Sequence, residues 1–231
     1  MRYRHFLFDL DDTLLDFRSS EKRSFDQTME IVGLTDSAST LYSDYRRESA
    51  ALWVELERKQ IDKEFLRVER FRRTFALHGV EADPFKASAI YLDILPETIV
   101  LVDGAKRLCE TLASVGELGV ITNGIDAVQR RRIEKSGLGE WFSFVATSEK
   151  CGFAKPDARF FEFAAGSFSS FRKSEAIIFG DRIDADIAGA IQFGIDSCWF
   201  NPRGLAGEEL LIPTFEVSHL DEIDGCLCDR P

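Results

Sequence analysis

The chain has 231 residues, 45% of them hydrophobic, and its 40 acidic and 29 basic side chains give a net charge of −11. This length allows one large core, or one core with a smaller insertion. The acidic surface disfavours nucleic acid polymers and membranes as partners. An anionic small molecule is still compatible with it, because a bound cation can reverse the charge inside one pocket.

Five cysteines occur without a CxxC pair: Cys109, Cys151, Cys198, Cys226 and Cys228. Their odd number and spacing fit neither a zinc site nor a disulfide framework, and instead predict free thiols in a reducing compartment. No stretch approaches the roughly 20 apolar residues of a membrane helix, and the first apolar run is too short for a signal peptide. We therefore expect a cytoplasmic protein.

The chain begins with a predicted buried strand at residues 3–10, which ends in a cluster of acids. Residues 19–95 are rich in charged, helix-forming residues and carry almost no strand signal. Pro84 suits the first turn of a helix, and Pro96 closes this segment. Helical spacing relates Leu41, Tyr45, Leu52 and Leu56. We expect several helices, inserted after the first strand as a lid over the site.

From residue 104 onward, helices alternate with short apolar strands. Helices are predicted at 104–115, 127–136, 157–165 and 187–193, and strands at 118–122, 144–147, 176–179 and 198–200. This alternation predicts an α/β fold, a Rossmann-like parallel sheet with helices on both faces. The expected domains are a core of residues 1–16 and 98–231 and a helical cap of residues 17–97.

Polar residues follow the predicted strands at Asp9, Asp11, Thr122, Asn123 and Asp181. Ligands of such sheets bind beyond the carboxyl ends of the strands, so one convergent site is expected there. Each cluster alone also has a plainer explanation. The acids after the first strand could form a polar turn or helix cap, and the Thr-Asn-Gly segment an ordinary strand-to-helix turn.

Two carboxylates at Asp9 and Asp11 suit phosphate ester chemistry. One can attack phosphorus, and the other can protonate the leaving alcohol and then activate water. A phosphate dianion repels carboxylates, so the site needs positive charge. Mg²⁺, held by Asp9 and Asp181, would supply it. Thr122 and the amides of Asn123 and Gly124 form a candidate anion site at a helix start.

Lys155 precedes Pro156, which could open a helix, and a lysine there could neutralise the phosphate and the nucleophile. Alone, it would be read as a solvated surface lysine. Asp181, Asp184 and Asp186 would repel one another unless a cation or Lys155 offsets them. Asp184 could also simply cap the following helix.

These four segments, in this order, resemble the haloacid dehalogenase superfamily. Its DxDxT motif corresponds to Asp9–Thr13, its strand ending in Thr or Ser to Thr122, its lysine to Lys155, and its Gly-Asp motif with a later acid to Asp181 and Asp186. The resemblance covers nearly the whole chain, with the helical insertion as the family's cap. One departure is Asp12, where many members carry Gly, and it is read as the mark of a subgroup.

The resemblance implies a role for each matching residue. Asp9 would be the nucleophile and a Mg²⁺ ligand, and Asp11 the general acid and base, with its carbonyl on the metal. Thr122, Asn123, Gly124 and Lys155 would hold the phosphoryl group. Asp181 would be a metal ligand, and Asp186 a partner of a metal-bound water or of Lys155. Dehalogenase members lack the acid at the Asp11 position, so its presence favours phosphate esters.

Finer similarity points to bacterial pyrimidine nucleotidases, with N-acylneuraminate-9-phosphatases sharing much of the pattern. The supporting stretches include residues 121–124, 129–137, 148–149, 153–156 and 198–202. We expect a phosphatase of small phosphomonoesters, first of nucleoside 5′-monophosphates, working as a monomer or homodimer. Alternatives are a sugar-phosphate phosphatase, a phosphomutase or a non-catalytic binding protein. Candidates for leaving-group contact, by residue type and position only, are Phe17, Arg46, Trp53 and Lys59.

Overall fold

The computed structural model describes residues 2–228, with the backbone alone of Cys228. The chain forms two compact units: one combines the segment up to Phe17 with the segment from Val100 onward, and the other is Arg18–Ile99. The sequence predicts a core of residues 1–16 and 98–231 and a helical cap of residues 17–97. The role of the helical unit as a lid stays a prediction.

The first unit is built on a parallel sheet, as the sequence predicts, and residues 2–228 contribute six strands to it, five of which were predicted. Its strands are β1 (His5–Phe8), β2 (Glu117–Thr122), β3 (Phe142–Thr147), β4 (Ala176–Gly180), β5 (Asp196–Phe200) and β6 (Phe215–Val217). They lie in the order β3-β2-β1-β4-β5-β6. Because β1 lies between β2 and β4, the carboxyl ends of these three strands meet at the switch point of the sheet.

The helices that follow the strands are α5 (Ala105–Ala113), α6 (Asp126–Lys135), α7 (Ser148–Cys151), α8 (Ala158–Ala165), α9 (Ala188–Phe193) and α10 (Ile223–Cys228). A π-helical turn at Ile183–Ile187 leads into α9. Short 3-10 turns lie at Gly139–Trp141, Lys173–Glu175 and Leu220–Glu222. The edge strand β6, the short α7 and the terminal α10 were not predicted from the sequence.

Both faces of the central strands β1, β2, β4 and β5 are buried, which explains why these strands read as continuous apolar runs. On one face, Leu7, Ile121 and Ile178 pack with Phe160 and Phe161 of α8. On the other face, the rings of Phe8 and Phe179 stack with their centroids 4.7 Å apart. The alternation of side chains along each strand therefore supplies two cores, and the predicted α/β class is confirmed.

The unit Arg18–Ile99 consists of helices, as predicted from its composition. They are α1 (Phe17–Ile31), α2 (Ala38–Glu57), α3 (Lys63–Leu77) and α4 (Pro84–Ile94), with 3-10 turns at Thr35–Ser37 and Leu95–Glu97. Pro84 stands at the first turn of α4, where Asp83 caps the helix through the Phe85 amide. The rings of Phe25, Tyr45 and Phe71 form the centre of this unit.

Two local expectations need correction. Pro156 does not open α8, because the helix begins at Ala158 and Asp157 caps it by accepting from the Arg159 amide. Asp184 does not cap α9 either; it lies inside the π-helical turn and pairs with the Arg182 guanidinium. Of the helices formed by residues 2–228, none is both long and apolar enough to cross a bilayer.

Candidate active site

Asp9 follows β1 directly, and its backbone amide donates to the Phe179 carbonyl at 2.9 Å, which ties it to the end of β4. Its side chain is nearly buried and accepts from Thr13 Oγ1 at 3.3 Å. The next turn depends on Asp12, which has φ of 60°, a left-handed conformation that Asp adopts more readily than most residues. The Asp12 carboxylate accepts from the Phe17 amide at 3.0 Å and so caps the start of α1.

Lys155 lies at the centre of the site, in the loop between α7 and α8. Its Nζ is 2.5 Å from Asp9 Oδ1, 2.7 Å from Asp186 Oδ1 and 2.8 Å from the Ile121 carbonyl oxygen. Its side chain is 2% exposed, so it is not a solvated surface lysine. The burial, the two carboxylates and the carbonyl fix this ammonium beside Asp9.

Asn123 fixes the backbone of Lys155 from the end of β2. Its side-chain oxygen accepts from the Lys155 amide at 2.9 Å, and its Nδ2 donates to the Lys155 carbonyl at 3.1 Å. The sequence predicts Asn123 as part of the phosphate site. That prediction concerns its backbone amide and stays a prediction, whereas both polar atoms of its side chain bind the loop that carries the lysine.

Asp181 follows β4, and Asp186 lies in the π-helical turn beyond it. Carboxylate oxygens of Asp9, Asp181 and Asp186 all lie within 4.8 Å of one another, a spacing at which one cation could bind all three. Trp199 Nε1 donates to the Asp181 carbonyl at 2.9 Å, and the Arg182 amide donates to Asp186 Oδ2 at 3.1 Å. Oxygen ligands of this kind suit Mg²⁺.

The cluster contains more carboxyl groups than positively charged groups. Burial raises the pKa of Asp9 to about 7. Repulsion from Asp186 and Asp11 acts in the same direction, and the attraction of Lys155 opposes it. Burial and repulsion from Asp9 and Asp186 raise the pKa of Asp181 to about 9. Burial alone would lower the pKa of Lys155, but the carboxylates of Asp186 and Asp9 outweigh it and raise that pKa. A divalent cation at this position would remove the repulsion, so the donor set fits a metal ion.

Thr122 and Gly124 lie at the end of β2, close to Asp11. The Gly124 amide donates to Thr122 Oγ1 at 3.1 Å. A Cβ at Gly124 would meet the Gln129 side chain at 2.4 Å, so a larger residue there would displace Gln129. The Gln129 amide group connects this turn to Asp11, since it donates to both Thr122 and Asp11.

Gln129 and Arg132 of α6 are site residues that the sequence did not single out. Gln129 Nε2 donates to Asp11 Oδ2 at 2.7 Å and to Thr122 Oγ1 at 3.0 Å. Arg132 Nη1 forms an ion pair with Asp11 Oδ1. Their trace in the sequence is a pair of polar residues three positions apart on the helix after the Thr122 motif, a pattern that other residues of α6 share.

A family model of haloacid dehalogenase-like hydrolases matches residues 3–194. The chain belongs to this family. It is therefore an enzyme, and the named activities of its similar curated relatives are phosphatase activities. Pyrimidine 5′-nucleotidase PynA of Streptococcus pneumoniae is 36% identical over 98% of this chain and 96% of that protein. Pyrimidine 5′-nucleotidase YjjG of Escherichia coli is 29% identical over 99% of each chain.

One solved structure supports the same family, and another shows the same fold. The HAD-hydrolase YfnB of Bacillus subtilis, bound to magnesium, matches with a TM-score of 0.88 and 31% identity over 98% of this chain and 99% of that chain. L-2-haloacid dehalogenase of Xanthobacter autotrophicus matches with a TM-score of 0.79 at 14% identity, over 99% of this chain and 100% of that chain, which shows a shared fold only. The predicted family resemblance is confirmed.

Proposed function

We propose that this enzyme is a magnesium-dependent phosphatase of small phosphomonoesters that forms an aspartyl-phosphate on Asp9. The observation that carries the proposal is the position of Lys155 Nζ, 2.5 Å from Asp9 Oδ1, beside the Asp9, Asp181 and Asp186 carboxylates. One cation and one ammonium there would compensate the charge of a phosphate dianion next to a carboxylate nucleophile.

The proposed reaction has two steps. An Asp9 carboxylate oxygen attacks phosphorus, the bond from phosphorus to the ester oxygen breaks, and Asp11 gives its proton to the departing alcohol. Asp11, now a carboxylate, then takes a proton from water. The resulting hydroxide attacks phosphorus and the bond to Asp9 breaks, which releases phosphate and restores both carboxyl groups.

Mg²⁺ would be held by the carboxylates of Asp9 and Asp181, and it would supply charge neutralisation for the phosphoryl oxygens. The Asp11 carbonyl is a further proposed ligand. Lys155 would hold Asp9 and the phosphoryl group together, and Thr122 Oγ1 with the backbone amides after it would bind the other phosphoryl oxygens. Asp186 would act through Lys155, to which its Oδ1 lies 2.7 Å away.

We infer that the substrates are nucleoside 5′-monophosphates, pyrimidine nucleotides first. Support comes from the pyrimidine 5′-nucleotidase relatives, which align over nearly the whole chain, so the similarity includes the helical unit. Cytoplasmic location and a monomeric or homodimeric state remain predictions.

The test is phosphate release with Mg²⁺ from nucleoside monophosphates, sugar phosphates and an aryl phosphate. Asp9→Asn should release none while its circular dichroism and thermal midpoint match the wild type. Asp11→Asn should accumulate phosphate on Asp9, detectable by mass spectrometry after acid quench of a reaction with an aryl phosphate. Full activity of Asp9→Asn would refute the mechanism. Release mainly from sugar phosphates would replace the substrate and leave the mechanism in place.

A further inference from the structure

Arg132 is buried completely, although an arginine side chain usually reaches water. Its side chain is 1% exposed, and its guanidinium lies 5.3 Å from the ring centroid of Phe17. Burial of a guanidinium costs several kcal/mol unless ion pairs and hydrogen bonds satisfy it. The contacts of the guanidinium group therefore indicate the role of Arg132.

The described contacts of Arg132 concentrate on one nitrogen. Nη1 pairs with Asp11 Oδ1 and donates to Gln129 Oε1 at 2.8 Å. Nε and Nη2 are buried and have no hydrogen-bond acceptor among residues 2–228. A buried arginine with two unmatched donor atoms contributes little to stability, because its contacts do not fully offset the free-energy cost of its desolvation. Its presence is better explained by what it does to Asp11.

Two side chains of α6 hold the Asp11 carboxylate. Gln129 Nε2 donates to Oδ2 at 2.7 Å and Arg132 Nη1 pairs with Oδ1, so each carboxylate oxygen has its own donor. Both donors lie on the same face of α6, three positions apart. The Asp11 side chain remains 31% exposed, so the carboxylate is fixed in direction but still open.

Gln129 also sets the distance between Asp11 and the Thr122 turn. Its Nε2 donates to Thr122 Oγ1 at 3.0 Å as well as to Asp11. Its side chain fills the space that a Cβ of Gly124 would need. The orientation of Asp11 is thus coupled to the proposed phosphate-binding turn through one buried amide.

We propose that Gln129 and Arg132 are positioning residues that hold the Asp11 carboxyl group in the direction required for proton transfer to the leaving alcohol. This inference rests on the proposed function, in which Asp11 is the general acid. Neither residue touches the substrate in this role. Their effect should appear only where the departing oxygen needs a proton.

Leaving-group dependence separates this role from a structural one. Phenyl phosphate and 4-nitrophenyl phosphate have nearly the same shape, but nitrophenolate departs readily without a proton and phenolate does not. The value of kcat/KM covers the steps up to release of the phenol, so later hydrolysis of the aspartyl-phosphate does not enter. A misdirected Asp11 should therefore lower kcat/KM for phenyl phosphate far more than for 4-nitrophenyl phosphate.

The experiment measures kcat/KM for both esters, with Mg²⁺, in the wild type, Arg132→Met, Arg132→Lys and Gln129→Met. We expect the ratio of the two values to change at least about 10-fold in the two methionine variants, since general acid catalysis contributes about 10²- to 10⁴-fold. Arg132→Lys keeps the charge and should recover part of the loss. Arg131→Met, an exposed arginine on the same helix, is the matched control and should leave the ratio unchanged.

Each outcome bears on the inference. In an Asp11→Asn background, Arg132→Met should change kcat/KM for phenyl phosphate by less than about 2-fold, because the group it directs is gone. Equal losses for both esters, or independent losses from Asp11→Asn and Arg132→Met, would overturn the inference while the phosphatase proposal stands. A folded wild type that releases phosphate from neither ester would overturn both. Thermal midpoints verify folding, and Gln129→Met and Arg132→Lys carry the test if Arg132→Met does not fold.

Discussion

Asp186 Oδ1 lies 2.7 Å from Lys155 Nζ, and the two side chains are 1% and 2% exposed. Near pH 6, Asp9 and Asp181 are largely protonated, because their pKa values are raised to about 7 and about 9. Asp186 is then the main partner that compensates the positive charge of the buried Lys155 ammonium. The same pair that would orient the lysine for phosphate binding is thus also a stabilising contact of the metal-free protein.

The first prediction concerns Asp186→Asn. At pH 6 with EDTA, this variant should lose about 3 kcal/mol in the free energy of unfolding, since a buried charge is left without its partner. Urea unfolding measures the loss. Asp184→Asn is the matched control, because Asp184 pairs with Arg182 and is 55% exposed, and it should change stability by less than about 0.5 kcal/mol. Equal stability of the two variants would contradict the importance of the buried pair.

The second prediction concerns pH and Mg²⁺. A carboxyl group with a raised pKa in the folded protein contributes stability that is fully present below its unfolded pKa near 4 and is lost as the pH rises through its folded pKa. For Asp9 and Asp181 this window extends to about pH 7 and about pH 9. The increase of the thermal midpoint caused by Mg²⁺ should therefore be larger at pH 8.5 than at pH 6.

Differential scanning calorimetry with and without Mg²⁺ measures this increase at each pH. Calorimetric titration in two buffers of different ionisation enthalpy should also show that Mg²⁺ binding releases protons. Asp181→Asn should lose most of the increase at both pH values. An increase that is the same at pH 6 and pH 8.5 would contradict the prediction that protonation of these carboxyl groups competes with the ion.

The third prediction concerns Gly180, the last residue of β4. A Cβ there would lie 2.3 Å from the Asp186 carboxylate, so Gly180→Ala must displace the partner of Lys155. We expect a loss of about 1–3 kcal/mol in the free energy of unfolding, together with weaker Mg²⁺ binding. Gly166→Ala is the control, because the nearest atom to its Cβ would be 3.5 Å away. Wild-type Mg²⁺ affinity in Gly180→Ala would show that Asp186 does not influence the metal site.

The fourth prediction concerns the cysteines. Cys109 and Cys198 are buried free thiols, and burial raises the pKa of Cys109 to about 12 and raises that of Cys198 further. Neither should react with iodoacetamide in the native protein at pH 8, whereas Cys151 and Cys226, which are only partly buried, should react first. The side chain of Cys228 lies outside the described residues. Peptide mass spectrometry locates the label, and native labelling of Cys109 would contradict its burial.

The sequence predicted the sheet well because its strands are apolar on both faces and end in polar residues. Residues 118–122 and 176–179 became β2 and β4 with nearly the same bounds. The strand β6 was missed, since three residues, Phe215–Val217, at the edge of the sheet leave no periodic pattern. Its place is set by pairing with β5, which local sequence does not encode.

The sequence predicted the site residues whose side-chain type suggests their chemistry. It missed the residues whose role depends on which face of a helix they occupy. The structure brings Asp9, Lys155, Asp181 and Asp186 together, but their catalytic roles remain proposals. The Asn123 backbone amide stays a predicted phosphate ligand, and its side chain has a further task, because it holds the Lys155 backbone. Gln129 and Arg132 could not be separated from other polar helix residues until the direction of α6 relative to β1 was known.

The parallel sheet also determines when this site can form during folding. Asp9 and Lys155 are 146 positions apart, and Asp181 and Asp186 come later still. Asp181 and Asp186 cannot join Asp9 and Lys155 until β4 has paired with β1, which closes a loop that includes the whole helical insertion. In the proposed function, Mg²⁺ would therefore bind only a chain in which β4 has already paired with β1. Mg²⁺ binding, followed over time during refolding, would therefore report when β4 pairs with β1. Earlier folding steps would not produce this signal.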